Sequence, residues 1–189
     1  MQNKKKHPDI KEILLLEKVI RKKVSELAAV INRDYRGKKP ILVSILKGSV
    51  VFLCDLIRQL EIPVVLDFMS VSSYAGDSES SGVVRLLMDM RESIVGRDVL
   101  IIEDIIDTGL TLSYLKRNLM TRKPSSLKIC VLLDKKACRK IEIKVDYAGF
   151  VIPNKFCVGY GLDYNQFYRE LPYIGVLKPE IYRTAHRKI

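Results

Sequence analysis

The stretch Val99-Leu-Ile-Ile-Glu-Asp-Ile-Ile-Asp-Thr-Gly-Leu-Thr111 changes character along its length. It starts within an apolar run, Asp98 to Ile102, without polar alternation, which is typical of a strand covered on both faces. Two adjacent acids and then a third follow, and a Thr-Gly pair opens a segment with helical spacing. A buried strand that leads through acids into a helix indicates an α/β fold with a ligand site at the strand end.

The end of this stretch, from Asp107 to Thr111, has the composition of an anion-binding loop. Backbone N–H groups at a helix N-terminus attract an anion, and the helix dipole assists. Gly109 lets the backbone approach a ligand closely, and the hydroxyls of Thr108 and Thr111 add donors. Neither a Walker loop nor a Gly-x-Gly-x-x-Gly fingerprint is present. The alternative is a simple helix cap by Asp107 or Thr108.

The three acids of the stretch, Glu103, Asp104 and Asp107, need a separate explanation. Beside a phosphate they would repel the ligand unless they had other partners. Two uses fit carboxylates: accepting hydrogen bonds from ribose hydroxyls, and sharing a hydrated Mg²⁺. The stretch as a whole therefore favours a sugar phosphate as ligand.

Predicted elements on either side complete an α/β pattern. Apolar residues at helical spacing predict an amphipathic helix over 9–31, and further helices are predicted at 48–60 and 110–120. Short apolar runs predict strands at 41–46, 64–71, 83–88, 98–102, 127–133 and 145–152. We expect a mostly parallel twisted sheet flanked by helices, in a single domain. A polar loop over 72–82 is long enough to be functional or mobile.

The composition limits the kinds of partner and of chemistry. A net charge of +11 suits an anionic partner, which could be nucleic acid, an anionic surface or a phosphorylated small molecule. The absence of a signal-peptide core and of a membrane-spanning apolar run predicts a cytosolic protein.

The chain's cysteines and histidines do not have the spacing of zinc ligands. They are Cys54, Cys130, Cys138, Cys157, His7 and His186. Catalysis must therefore rest on carboxylates, lysines or hydroxyls. Cys54 and Cys130 lie in apolar segments and are predicted to be core residues.

The central stretch resembles the signature of type I phosphoribosyltransferases, which bind phosphoribosyl pyrophosphate. The resemblance implies that Glu103 and Asp104 bind the ribose diol and that Asp107 is the general acid or base near N7 of a purine. It implies a 5′-phosphate site at Asp107, Thr108, Gly109, Leu110 and Thr111. Some relatives have a basic residue in place of Leu110, so here the site would depend more on backbone N–H groups and Thr111. The family fold implies a core over about 36–150 and a small hood from 1–35 and 151–189.

Two further segments resemble ligand loops of the family. Leu46-Lys47-Gly48 is similar to the pyrophosphate loop, whose Leu-Lys peptide is often cis, and Arg169 matches an arginine that reaches pyrophosphate. Taken alone, these would be an ordinary turn and a surface charge. Ser73-Tyr74 resembles the pair in the catalytic lid, which closes to exclude water.

The base-binding residues are implied by the same resemblance. Lys135 matches the lysine that donates to the 6-oxo group of hypoxanthine or guanine, and Ile105 is the expected apolar wall. The segment Asn154-Lys-Phe-Cys-Val-Gly-Tyr-Gly-Leu-Asp-Tyr-Asn165 is similar to the purine-binding stretch of the hypoxanthine-guanine enzymes.

Within that segment, Phe156 matches the aromatic residue that stacks on the base. Cys157 takes the place of a frequent valine whose backbone meets the purine edge. Asp163 matches the acid that offers its carbonyl to the base and holds Mg²⁺ through water.

The resemblance thus implies purine salvage, in which the 5-phosphoribosyl group passes to N9 of hypoxanthine or guanine, giving IMP or GMP and pyrophosphate. Mg²⁺ is the implied cofactor, with Asp163, Glu103 and Asp104 as its ligands. A homodimer or homotetramer is expected, without a nucleic-acid or membrane partner. Two alternatives stay open: an enzyme of the same fold for another base, xanthine above all, and an RNA-binding regulator of this fold, which the +11 charge would suit.

Overall fold

The computed structural model describes residues 6–73 and 84–183, which form two sheets and their flanking helices. The elements in chain order are β1 Ile10–Leu15, α1 Glu17–Asp34, β2 Ile41–Leu46, α2 Val50–Ile57, β3 Val65–Ser73, β4 Val84–Met88, β5 Asp98–Ile106, α3 Leu110–Met120, β6 Ser126–Asp134, β7 Tyr147–Val151, β8 Cys157–Val158, β9 Ile174–Leu177 and α4 Pro179–Arg183. The larger sheet has the order β4-β3-β2-β5-β6-β7, and within it only β4 runs antiparallel to its neighbour. The predicted mostly parallel α/β sheet is confirmed.

The central strand β5 shows why the sheet has apolar residues on both faces. Its side chains alternate between the two sides, as in any strand. Leu100 and Ile102 belong to the core cluster that includes α1 and α2, whereas Val99 and Ile101 belong to the cluster that includes α3. All four are fully buried, so the strand is a continuous apolar run.

The helix predicted over 9–31 begins only at Glu17. The preceding residues form β1, which pairs antiparallel with β9 in the register Ile10 to Leu177. Ile10 is fully buried there. The long-range pairing with β9 outweighs a local spacing that also suits a helix, so the prediction for these residues was wrong.

The smaller sheet joins the two ends of the described chain. It has the order β1-β9-β8 and packs around a separate cluster of Ile10, Val158, Tyr173 and Leu177. Helix α1, by contrast, packs into the main core through a face that includes Ile20 and Val24. The hood boundaries at 35 and 150 therefore stay a prediction, because β1 belongs to the smaller sheet whereas α1 packs into the main core.

Three other predictions from the sequence concern two cysteines, the lid pair and membrane-spanning segments. Cys130 is fully buried, but Cys54 is exposed, since α2 turns Phe52 and Leu56 inward and Cys54 to solvent. The lid pair stays a prediction: Tyr74 lies outside the described residues, and only the backbone of Ser73, at the end of β3, is described. None of the described helices combines the length and apolar character needed to cross a membrane. The cytosolic location stays a prediction.

Candidate active site

The predicted ligand loops meet at one edge of the larger sheet. Lys47 and Gly48 follow β2, Asp107 and the phosphate loop follow β5, and Lys135 follows β6. Because β2 and β6 both pair in parallel with β5, the ends of the three strands lie side by side. The carboxyl ends of parallel strands are where α/β proteins bind ligands.

The loop before α3 has the geometry of an anion site. Gly109 has a φ of +85°, and no side chain caps the helix at this residue. A Cβ at Gly109 would come within 2.8 Å of the Ile141 carbonyl oxygen, so glycine is required on steric grounds as well. The hydroxyl of Thr108 accepts only a long hydrogen bond, 3.4 Å, from the N–H of Leu110. Side chains therefore cap α3 only weakly, and the first N–H groups of a helix in this state suit an anion.

Positive charge lies behind this loop. The guanidinium of Arg139 donates to the buried carboxylate of Asp134. The Cδ atom of Arg139 lies 3.2 Å from the position that a Cβ on Gly109 would occupy. The carbonyl of Thr108 accepts hydrogen bonds from the N–H groups of Lys140, 2.9 Å, and Ile141, 3.1 Å. The segment after Lys135 therefore fixes the loop, a role that the sequence did not reveal.

Glu103 and Asp104, near the carboxyl end of β5, form an acid pair in which Asp104 is buried and Glu103 is half-buried. Burial raises the pKa of Asp104 to about 6, although the N–H of Ile105 and the charge of Arg169 lower it in part. The pKa of Glu103 also rises, through burial and then through the charge of Asp104. Burial thus disfavours the charged form of both carboxyl groups.

One oxygen of this pair suits a cation. The Oε2 atom of Glu103 is buried and has no hydrogen-bond partner among the described residues. Carboxylate oxygens of this kind are the ligands that Mg²⁺ prefers. Within the described ranges, however, Asp163 does not join Glu103 and Asp104 in a three-residue ligand cluster. These acids therefore fit Mg²⁺ only if the substrate supplies oxygens as well.

The pyrophosphate loop packs against both the acid pair and the hood. The Leu46–Lys47 peptide is cis. A Cβ on Gly48 would lie 1.7 Å from Oδ2 of Asp104, and a Cβ on Gly161 would lie 2.1 Å from the carbonyl oxygen of Gly48. Only glycines allow this approach, which brings the purine-binding stretch onto the loop after β2.

Arg169, Asp163 and Lys47 gather around Gln166. Arg169 pairs with Asp163 at 2.8 Å and donates to the carbonyl of Gly161 at 2.7 Å. The amide oxygen of Gln166 accepts from Arg169 at 3.2 Å and from Lys47 at 3.3 Å. A neutral oxygen therefore lies between the two cations that the family resemblance assigns to pyrophosphate. Gln166 has a φ of +70°, a conformation that sequence reasoning did not predict.

Lys135, the predicted donor to the 6-oxo group, lies close to Asp107. Its Nζ lies 3.9 Å from Oδ2 of Asp107, and its side chain is almost buried. Burial raises the pKa of the Cys157 thiol, whereas the charge of Lys135 lowers it. The Cys138 thiol also lies close to Asp107: burial and then the Asp107 charge raise its pKa.

Phe156 lies in a group of three aromatic rings. Its ring stacks on that of Tyr182, with centroids 4.8 Å apart and planes 17° apart, and meets Tyr164 edge-on at 5.7 Å. The residue remains 38% exposed. Ile105, the expected opposite wall, is half-buried against the main core. Tyr182 had no signal in the sequence, because the strand pairing that positions it is long-range.

Comparisons with known proteins agree along most of the chain. A family model described as the phosphoribosyl transferase domain matches residues 11–165. The chain is 51% identical over 173 residues to the hypoxanthine-guanine phosphoribosyltransferase of Lactococcus lactis, covering 92% of this chain and 94% of that relative. It is 49% identical over 180 residues to the bifunctional protein TilS/HprT of Listeria monocytogenes, covering 95% of this chain but spanning only 28% of that relative's length.

The fold comparison gives the same result. A crystal structure of a hypoxanthine phosphoribosyltransferase from Staphylococcus aureus matches with a TM-score of 0.91 at 49% sequence identity. The match covers 96% of this chain and 99% of that one. Both sheets therefore correspond to those of a solved relative.

Proposed function

Because the chain belongs to the phosphoribosyl transferase family, we propose that it transfers the 5-phosphoribosyl group from phosphoribosyl pyrophosphate to N9 of hypoxanthine or guanine. The predicted type I phosphoribosyltransferase fold and the family resemblance are confirmed by the matches to these relatives. The reaction gives IMP or GMP and pyrophosphate, which is purine salvage.

The observation that carries the proposal is the pairing of Lys135 with Asp107 across 3.9 Å. In a 6-oxopurine, O6 and N7 lie next to each other on one edge of the ring. An ammonium beside a carboxylate offers a donor to O6 and an acceptor to N7–H. Adenine has an amino group in place of O6, and it would face the ammonium with a donor. The pair therefore favours 6-oxopurines.

The same edge of the sheet has a place for each part of the ribosyl donor. The 5′-phosphate would bind the N–H groups from Asp107 to Thr111, where the α3 dipole assists. The ribose hydroxyls would donate to the carboxylates of Glu103 and Asp104. Lys47, Gly48 and Arg169 would receive the pyrophosphate.

Mg²⁺, when bound with the pyrophosphate, would neutralise charge on the leaving group. Glu103, Asp104 and Asp163 are the side chains that would hold it, together with substrate oxygens. The buried, unpaired oxygen of Glu103 supports this assignment.

In the transfer step, the N9–C1 bond forms while the bond between C1 and the pyrophosphate oxygen breaks, and its electrons leave with pyrophosphate. Asp107 takes the proton from N7. Lys135 fixes the base through O6, and Phe156 and Ile105 enclose its faces. Lys47 and Arg169 stabilise the charge of the departing pyrophosphate, an electrostatic role that needs no reorganisation at the moment of reaction.

A turnover assay with a panel of bases tests the proposal. We expect product from phosphoribosyl pyrophosphate with hypoxanthine and guanine, and little with adenine or orotate. Preference for xanthine would move the assignment to another enzyme of this fold. Salt-sensitive RNA binding without turnover would identify a regulator instead. The homodimer or homotetramer is also a proposal, and light scattering on the purified chain measures it.

A further inference from the structure

We propose that Tyr182 is a positioning residue for purine binding: its ring stacks on the hood side of Phe156 and holds that ring ready to receive the base. The inference rests on the proposed function, because it assigns a role in the binding of the same base. It starts from the stacked pair, with centroids 4.8 Å apart and planes 17° apart.

The packing of Tyr182 shows from which side its ring approaches Phe156. Tyr182 packs against the hood cluster of Ile10, Val158, Tyr173 and Leu177, away from the main core. The ring of Tyr182 therefore approaches Phe156 from the hood. Phe156 keeps 38% of its surface exposed, and Tyr164 meets its edge. The face left for a flat ligand is consequently the one opposite Tyr182.

Backbone hydrogen bonds of the residues just before α4 attach this helix to the backbone of Phe156 and to the residue just before β1. The N–H of Leu177 donates to the carbonyl of Phe156 at 2.9 Å, and the N–H of Lys178 donates to the carbonyl of Asp9 at 3.0 Å. Pro179 then begins the helix, where its fixed φ is favourable. Tyr182 thus reaches Phe156 from a short segment that is itself attached to the Phe156 backbone.

The energetic consequence is preorganisation. A half-exposed phenylalanine would otherwise lose rotamer freedom when a base stacks on it, and a prior stack reduces that loss. A pair of stacked aromatic rings contributes about 0.5–1.5 kcal/mol beyond its buried area, equivalent to about a twofold to tenfold change in affinity. The effect should fall on the base and leave the ribosyl donor unaffected, because Tyr182 stacks on Phe156 and packs into the hood cluster.

Steady-state kinetics of three Tyr182 variants test the inference. We expect Tyr182→Ala to raise KM for hypoxanthine about twofold to tenfold, with KM for phosphoribosyl pyrophosphate unchanged. Tyr182→Phe should retain the wild-type value because it keeps the ring. Tyr182→Leu keeps apolar volume without a ring, so it should behave like Tyr182→Ala even if the alanine variant is too unstable to assay.

The matched control is Ile181→Ala, which removes packing from the same helix and cluster without removing a ring from Phe156. It should leave KM for hypoxanthine near the wild-type value. An equal rise in this control, or a wild-type KM in Tyr182→Leu, would show that α4 serves only packing and would overturn the inference. A lowered KM in Tyr182→Ala would overturn it too, since Tyr182 would then occupy the place of the base. A wild type without turnover on hypoxanthine or guanine would count against the proposed function itself.

Discussion

The ammonium of Lys135 lies 3.9 Å from the carboxylate of Asp107, although the two residues follow different strands. The distance is too long for a direct hydrogen bond, so both groups keep capacity for a ligand. Lys135 is nearly buried, with 11% of its side chain exposed, whereas Asp107 is 49% exposed. A fixed donor thus lies beside an acceptor that solvent and substrate can reach.

Asp107→Asn tests the proton transfer. The change keeps the shape of the side chain but removes the base, and one positioned acid or base is typically worth about 10²–10⁴-fold in rate. We expect kcat to fall by that order while KM for both substrates changes much less. Near-normal turnover would contradict the assignment of Asp107 as general base.

Lys135→Gln tests the recognition of O6. Glutamine still donates a hydrogen bond, but it removes the charge and also offers an acceptor to the 6-amino group of adenine. We expect kcat/KM for hypoxanthine and guanine to fall about tenfold or more, while the value for adenine stays level or rises. If the preference over adenine is unchanged, another group reads O6.

Gly48→Ala tests the close packing of the pyrophosphate loop. The new methyl group would lie 1.7 Å from the Asp104 carboxylate, so the loop or the acid pair must move. We expect at least a hundredfold loss of kcat/KM for phosphoribosyl pyrophosphate, about 3 kcal/mol. Gly37→Ala is the control: its methyl group meets nothing within 4 Å, and its φ of +75° should lower stability by about 1 kcal/mol without altering kinetics.

Gln166→Ala tests whether the amide oxygen orients Lys47. Without this acceptor the exposed Lys47 side chain becomes free, and ordering such a side chain costs about 0.5–1.5 kcal/mol. We expect the Kd for pyrophosphate to rise about threefold, with no change in KM for the base. In a Lys47→Ala background the same change should have no further effect, and an equal effect there would argue for a different role.

Asp98→Asn tests an acid-dependent contact at the amino end of β5. The hydroxyl of Ser126 and then the ammonium of Lys38 hold the pKa of Asp98 below its usual value. A lowered folded pKa adds stability above the unfolded value of about 3.9, and that stability is lost as the pH falls through the folded pKa. We expect the variant to be about 1 kcal/mol less stable than the wild type at neutral pH, with the difference shrinking as the pH falls below about 4, by urea denaturation.

Local pattern was enough for the main sheet. The run Ile41–Leu46 was predicted as a strand and is one, because a short apolar segment in a central parallel strand needs no partner information to be recognised. The strand predicted over 98–102 is the first part of β5, which continues through the two acids to Ile106, and Gly109 directly precedes α3 as predicted. The roles assigned to these residues stay predictions until the assays above are done.

Contacts between distant segments could not be predicted from the sequence. The strand at Ile10–Leu15 exists because β9 pairs with it, and no local signal marks that pairing. Gln166 links Lys47 to Arg169 from a backbone conformation with a positive φ, which glutamine rarely adopts. The raised pKa of Asp104 depends on burial by loops from elsewhere in the chain. Each of these features arises from tertiary packing, which a linear pattern does not encode.

The pairing of β1 with β9 also constrains biosynthesis. Within the described residues β1 pairs with no other strand, so this early segment must wait until Ile174–Leu177 has left the ribosome. The last of the six strands of the larger sheet ends at Val151, so this sheet can form before β9 has been synthesised. A nascent chain would therefore complete the larger sheet, with Glu103 and Asp104 on β5, before the smaller sheet next to Phe156.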